Sequence, residues 1–293
     1  MIRLRSHAPI ALLLVLILLL TFAGCNKNAQ TSEPEESHPP EISESSAPSQ
    51  APGTPSFVNP LPVPGGPSER PARQLYSEKA KEKHALNTDT IGWIAVPNTS
   101  LDDVVVWYPG DENMFYLQKD FDKRYSLGGT YYADFRSKWE GGRAGIPTNT
   151  IVYGHSMEDS PDGPLFSQLK KFLDEDFARK NPYIFFSTVD DDMVFEVFAV
   201  FYTDVYLLYN VPYPDTASYT DLLQSVSEST IYNYDVEVTA NDKIITLSTC
   251  CYNITPTYPN NYRYVIMGRL VDKNAELKDE ASITKNPAPK MPK

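Results

Sequence analysis

Two adjacent thiols, Cys250 and Cys251, close the apolar run Ile244-Ile245-Thr246-Leu247-Ser248-Thr249. A thiol at the exposed end of a strand is a nucleophile where a neighbouring base or cation favours the thiolate. Without such company it is an inert core residue, since free cysteine is among the most buried residue types. The base has to come from four histidines. His7 falls in an apolar leader, His38 in a Pro-rich stretch, and His84 among charges that predict a solvated side chain. His155 follows the strand-like Asn149-Thr150-Ile151-Val152-Tyr153 across Gly154, a place where a scaffold holds a side chain rigidly. Acyl transfer also needs a donor for a developing oxyanion. Arg263 offers one at the start of the next strand, across a Pro-containing loop, and a guanidinium stays charged with several N–H donors. Each of the three has a plainer reading: buried thiol, structural histidine, surface arginine. One histidine and two neighbouring thiols, with no Cys-x-x-Cys partner, fall short of the four ligands of a structural zinc, so no metal or other cofactor is expected.

The elements that must position these groups are short. Leu75 to Ala85 is rich in Lys and Glu and predicts a helix. Strands are predicted at 91–97 and 103–107 around the turn Pro97-Asn98-Thr99, at 149–153, and at 183–186 and 193–202 around Asp190-Asp191-Asp192. Two more are predicted, at 243–247 and at 264–267. Phe166, Leu169, Leu173 and Phe177 form a stripe that predicts an α-helix, and Tyr219 to Ser229 predicts a helix inserted before the cysteine strand. Many short strands with helical interludes and no βαβ rhythm imply a mainly β, α+β domain. The expected form is a closed, antiparallel-rich barrel.

At the amino end, Arg3 and Arg5 precede an apolar run from Ile10 to Ala23, and Gly24-Cys25 follows before the chain turns polar. This is the pattern of a signal peptide over 1–25, and the run is short for a bilayer span, which needs about 20 apolar residues. Phe22-Ala23-Gly24-Cys25 resembles a lipoprotein signal, with Cys25 as the lipid attachment site; an uncleaved signal anchor is the alternative. Either places the rest of the chain on the extracellular face of the membrane. Residues 26–73 are rich in Glu, Ser and Pro and predict a disordered tether. Polar, Pro-bearing residues 273–293 predict a disordered tail. The globular composition, with 41% hydrophobic residues, leaves room for a sizeable core in 74–272. A net charge of −12 without a basic stripe argues against a nucleic-acid partner. Three cysteines, two of them adjacent, cannot form the framework of a disulfide-stapled domain.

Three motifs, in order, resemble the sortase family. Tyr153-Gly154-His155 is similar to its histidine motif, Thr246-Leu247-Ser248-Thr249-Cys250 to its Thr-Leu-x-Thr-Cys signature, and Arg263 through Val271 to its closing arginine strand. The leading helix, Asn87 through Ile94, Ser156-Met157, Phe166-Ser167-Gln168-Leu169 and the inserted helix resemble class B members. The resemblance implies a sortase-type barrel over 74–272 and transpeptidation without calcium. It implies Cys250 as nucleophile, His155 as acid and base, Arg263 as oxyanion donor, and Ser248 and Thr249 as residues lining the substrate. It also implies partners: surface proteins bearing a C-terminal sorting motif, and a peptidoglycan or pilin amine as acceptor. A hydrolytic cysteine peptidase and an inactive sortase-like binding lipoprotein are the alternatives. Members often carry Ser or Thr after the nucleophile and an acidic residue shortly beyond, where this chain has Cys251 and Asn253. Adjacency alone suggests a vicinal Cys250–Cys251 disulfide, although its ring is strained and an unrelated free thiol is the plainer reading.

Overall fold

The computed structural model describes residues 72–110, 114–252 and 262–292. The chain divides after Pro62 into two units, and every described residue belongs to the second, Val63–Lys293. The expected signal peptide, Cys25, and the tether up to residue 71 therefore lie outside the described residues.

Helix α1 (Ser77–Leu86) buries only Ala80 and is anchored at its amino end by hydrogen bonds. There the Asp192 carboxylate accepts from the Tyr76 and Ser77 amides at 2.7 and 2.9 Å and from the Ser77 hydroxyl at 2.9 Å. An anion at the positive end of a helix is stabilising. Burial pushes the Asp192 carboxyl up, but these bonds and one from Ser187 outweigh it and hold the group below its ordinary range. Next come β1 (Thr90–Ala95), β2 (Asp102–Val106), a 3-10 turn (Phe115–Gln118), β3 (Tyr131–Ala133), α2 (Gly142–Gly145) and β4 (Asn149–Tyr153). A 3-10 segment (Phe166–Leu173), α3 (Glu175–Lys180), β5 (Tyr183–Thr188) and β6 (Asp192–Asp204) follow. The chain then forms α4 (Thr216–Ser229), β7 (Tyr232–Tyr234), β8 (Ile244–Cys251), β9 (Tyr262–Leu270) and β10 (Ile283–Lys285).

Eight strands close into a barrel in the order β1-β2-β3-β4-β8-β9-β6-β5. This is the closed, mostly antiparallel barrel that the strand pattern implies, with its leading and inserted helices. Only β2 with β3 and β4 with β8 run parallel. Side chains alternate across each strand. Ile245, Leu247 and Cys251 of β8 and Tyr262, Tyr264 and Ile266 of β9 join the barrel interior. Ile244, Val265 and Met267 face outward, beneath Tyr219, Leu222 and Val226 of α4. The Asp215 carboxylate starts α4 by accepting from the Ser218 amide and hydroxyl at 3.0 and 2.7 Å.

Two expectations need correction. The stripe at Phe166, Leu169, Leu173 and Phe177 presumed 3.6 residues per turn, but the segment is a 3-10 helix. At three residues per turn, Phe166, Leu169 and Phe172 share the buried face, and Leu173 is 39% exposed. Asp174 then breaks the segment and caps α3, accepting from the Phe177 amide at 2.8 Å. The expected disordered tail is folded through residue 292: β10 pairs antiparallel with β7, and Leu277, Ala281 and Ile283 are buried. The polar composition hid three well-spaced apolar residues, and β7 supplied a strand edge to receive them. Arg73, at the end of the expected tether, is likewise docked, donating to the carbonyls of Asp272 and Ala275.

Candidate active site

Cys250 and Arg263 are register partners on β8 and β9. Directly opposed residues of an antiparallel pair project from the same face, here the outward face that Ile244, Val265 and Met267 share. Both side chains are half-buried, and the Arg263 guanidinium donates to the Tyr262 carbonyl at 2.9 Å. They also act on the same two phenols. Burial first pushes the Tyr132 and Tyr209 hydroxyls up; the charge of Cys250 adds to that and the charge of Arg263 opposes it.

His155 reaches the same end of the barrel along β4, which runs parallel to β8 with Tyr153 level with Ser248. The Gly154 amide continues the ladder to the Ser248 carbonyl at 3.4 Å, so His155 and Cys250 each lie two residues past that pair. Only glycine fits at 154, because a Cβ there would stand 2.8 Å from ring carbons of both Phe166 and Tyr131. The same tight stack lets the Phe166 amide donate to the His155 carbonyl at 3.0 Å. The imidazole Nε2 lies 2.8 Å from the Leu117 carbonyl. A carbonyl only accepts, so Nε2 carries a proton, and Nδ1 is the ring nitrogen without that partner.

Ser248 and Thr249, expected to line the substrate, are buried. The Ser248 hydroxyl pairs with the Tyr209 hydroxyl at 2.8 Å, and the Thr249 hydroxyl donates to the Gly154 carbonyl at 2.7 Å. Their hydroxyls are engaged inside the protein, so the structure gives them bracing contacts in place of an open face toward a peptide. Thr249 ties β8 to the residue before His155. Behind Tyr153, the buried Asp134 carboxylate binds the Arg136 guanidinium through two bonds of 2.8 Å and accepts from the Tyr153 hydroxyl at 2.9 Å. The Asn210 amide donates to that hydroxyl at 3.0 Å.

Cys251 is elsewhere. It is 3% exposed and belongs to the barrel interior, and burial, helped by the charge of Asp159, pushes its thiol up to about 11. Alternation along β8 sends the two sulfurs to opposite faces of one strand, and both thiols are free. This geometry opposes a vicinal disulfide. His84 is not brought to this site; its Nδ1 lies 2.7 Å from the Thr90 carbonyl at the start of β1. The expected solvated side chain is half-buried there.

Sequence reasoning missed the phenols. Tyr252 shares the Cys250 face of the strand end, and burial first, then the charge of Cys250, pushes its hydroxyl up. Tyr252 and Cys251 also line a cavity of about 1090 Å³, with Asp159, Lys170, Phe177 and Tyr202 among its walls. Its place two residues after Cys250, on the same strand phase, was the one available signal for Tyr252. Nothing in the local sequence marks Tyr132, Tyr209 or the Leu117 carbonyl.

A family model described as the sortase domain matches residues 94–271. The chain is 32% identical to Sortase B of Listeria monocytogenes over 197 residues, covering 67% of this chain and 75% of that protein. It is 31% identical to Sortase B of Staphylococcus aureus over 168 residues, 56% of this chain and 64% of that one. Among solved structures, a Staphylococcus aureus sortase B–substrate complex superposes with a TM-score of 0.57 at 27% identity, covering 68% of this chain and 87% of that one. The protein is therefore a cysteine transpeptidase. It belongs to the sortase family, within class B, and proteins of this kind join surface proteins bearing sorting motifs to amine acceptors.

Proposed function

We propose that Cys250, His155 and Arg263 carry the transpeptidation, and that the enzyme works on the outer face of the membrane, tethered through Cys25. The observation that supports this reading most is the pairing of Cys250 with Arg263 across β8 and β9, with His155 level with them on the adjoining β4.

In this reading the Cys250 thiol passes its proton to Nδ1 of His155, and the resulting thiolate attacks the carbonyl of the scissile peptide bond in a sorting motif. The new C–S bond places negative charge on the carbonyl oxygen, which the Arg263 guanidinium stabilises. Collapse breaks the C–N bond as His155 gives a proton to the leaving amine, and a thioacyl enzyme remains. An incoming cell-wall or pilin amine attacks that thioester, loses a proton to His155 and expels the thiolate. Tyr252, whose hydroxyl is pushed up by the charge of Cys250 after burial, lies where it can steady the thiolate in both steps. The lipid on Cys25 and the Pro-rich stretch up to residue 71 supply the anchor and its reach.

The test incubates the full chain with a panel of sorting peptides, with and without an amine acceptor. Ligated product, together with a thioacyl adduct mapped to Cys250, is the expected result. Release without ligation would make the protein a hydrolytic peptidase, and the absence of any adduct would make it a binding lipoprotein. Metabolic labelling with a radiolabelled fatty acid, lost in Cys25→Ala, checks the anchor.

A further inference from the structure

The stretch after His155 is held by a buried ammonium to which the transpeptidation steps assign no part. Lys170 lies in the 3-10 segment and is 4% exposed. Its Nζ donates to the Ser156 hydroxyl at 2.8 Å and to the Glu158 carbonyl at 3.1 Å, and it pairs with the Asp159 carboxylate at 2.6 Å. An ammonium has three N–H donors, and all three are directed at residues 156–159. The same stretch is tied down twice more: the Glu158 amide donates to the Ser167 hydroxyl at 3.1 Å, and Ser156 forms an antiparallel bridge with Leu165, just before the segment. On the other side of His155, the Thr249 hydroxyl holds the Gly154 carbonyl. The histidine is thus fixed from both directions along the chain, while its ring is fixed by the Leu117 carbonyl.

A buried cation is retained only where its partners compensate for lost hydration, and removing it withdraws one donor from each of those partners. Here the group left behind includes the residue immediately after His155. We propose that Lys170, through Ser156 and Asp159, is a positioning residue that keeps the His155 imidazole against the Leu117 carbonyl and level with Cys250. This rests on the reading of His155 as the acid and base. Arginine is no substitute, since a planar fork cannot direct donors at a hydroxyl, a carbonyl and a carboxylate spread around one point.

The experiment compares wild type, Lys170→Met, Ser156→Ala and His155→Ala in the full chain, using the peptide and amine selected by the panel above. Each is assayed well below its melting temperature, and ¹H–¹⁵N correlations report the His155 ring tautomer. Lys170→Met is expected to lower kcat by about tenfold with KM within about twofold, since small misplacements of a catalytic group cost rate before binding. Its His155 ring should pass from a single Nε2-protonated tautomer to a mixture. Ser156→Ala, which removes one of the three Lys170 bonds together with the hydroxyl's own bond to the Glu158 carbonyl, should lower kcat by about threefold in the same manner, and serves as the test should Lys170→Met fail to fold. An unchanged kcat, or a fall in kcat with the tautomer intact, overturns the proposal. If His155→Ala retains wild-type kcat, the reading of His155 itself fails, a result distinct from the loss of the Lys170 role alone.

Discussion

Cys250 and Cys251 are neighbours in the chain and strangers in the fold. One sits half-buried on the outer face of β8, opposite a guanidinium and within electrostatic reach of Tyr252. The other is enclosed with Tyr262, Tyr264 and Ile266 inside the barrel, its thiol pushed up to about 11. Nothing in the composition of either residue makes this difference. A two-residue repeat turns adjacent side chains to opposite faces, and the faces differ in solvent, charge and partners. Reactivity therefore follows from strand phase.

The sharpest way to break this contrast is to exchange the fates of the two thiols. Cys250→Ala should lower transpeptidation by about 10³-fold or more, because the covalent route is lost. A variant that still ligates at a tenth of the wild-type rate would place the nucleophile elsewhere. Arg263→Lys should cost about 10²-fold in kcat by withdrawing the forked donor from the oxyanion, with little change in peptide KM. Steady-state kinetics with the selected peptide read both parameters. Gly154→Ala pushes a methyl into the Phe166 and Tyr131 rings beside His155. It should destabilise the domain by about 1–3 kcal/mol in urea titration and reduce kcat as well.

Smaller effects sharpen the other side of the comparison. Cys251→Ala should keep activity within about threefold and cost about 1 kcal/mol through a small interior void, read by the same titrations. Cys251 also predicts a pH dependence. Its folded pKa lies above the unfolded value of about 8.5. The stability it contributes is therefore complete below about pH 8.5 and is lost as pH rises toward 11, while the unfolded thiol ionises and the folded one does not. Cys251→Ala should make the decline in melting temperature over this window shallower, and identical slopes would contradict the buried assignment.

Much of this was legible along the chain. The closed barrel followed from short alternating strands without a βαβ rhythm. The pairing of Cys250 with Arg263 followed from two strands joined by one loop, since such ends meet by connectivity. The 3-10 segment was misread because Phe166 and Leu169 fit a three-residue and a 3.6-residue period equally well. Only burial of Phe172 in place of Leu173 separates the two. The folded tail was misread because composition averages over Leu277, Ala281 and Ile283, and the strand that receives them, β7, is only three residues long.

The sequence by itself determined which chemistry was available: one thiol pair at a strand end, one histidine at a glycine turn and one arginine at the start of the last barrel strand. Residue type and local periodicity carry that information, because they depend on near neighbours. Only the tertiary structure decided which thiol faces outward and that β4 lies parallel beside β8. It alone set the Leu117 carbonyl on the imidazole and Lys170 under the stretch that follows. Those contacts join residues that are distant along the chain, and they exist only once barrel closure sets strand order and phase.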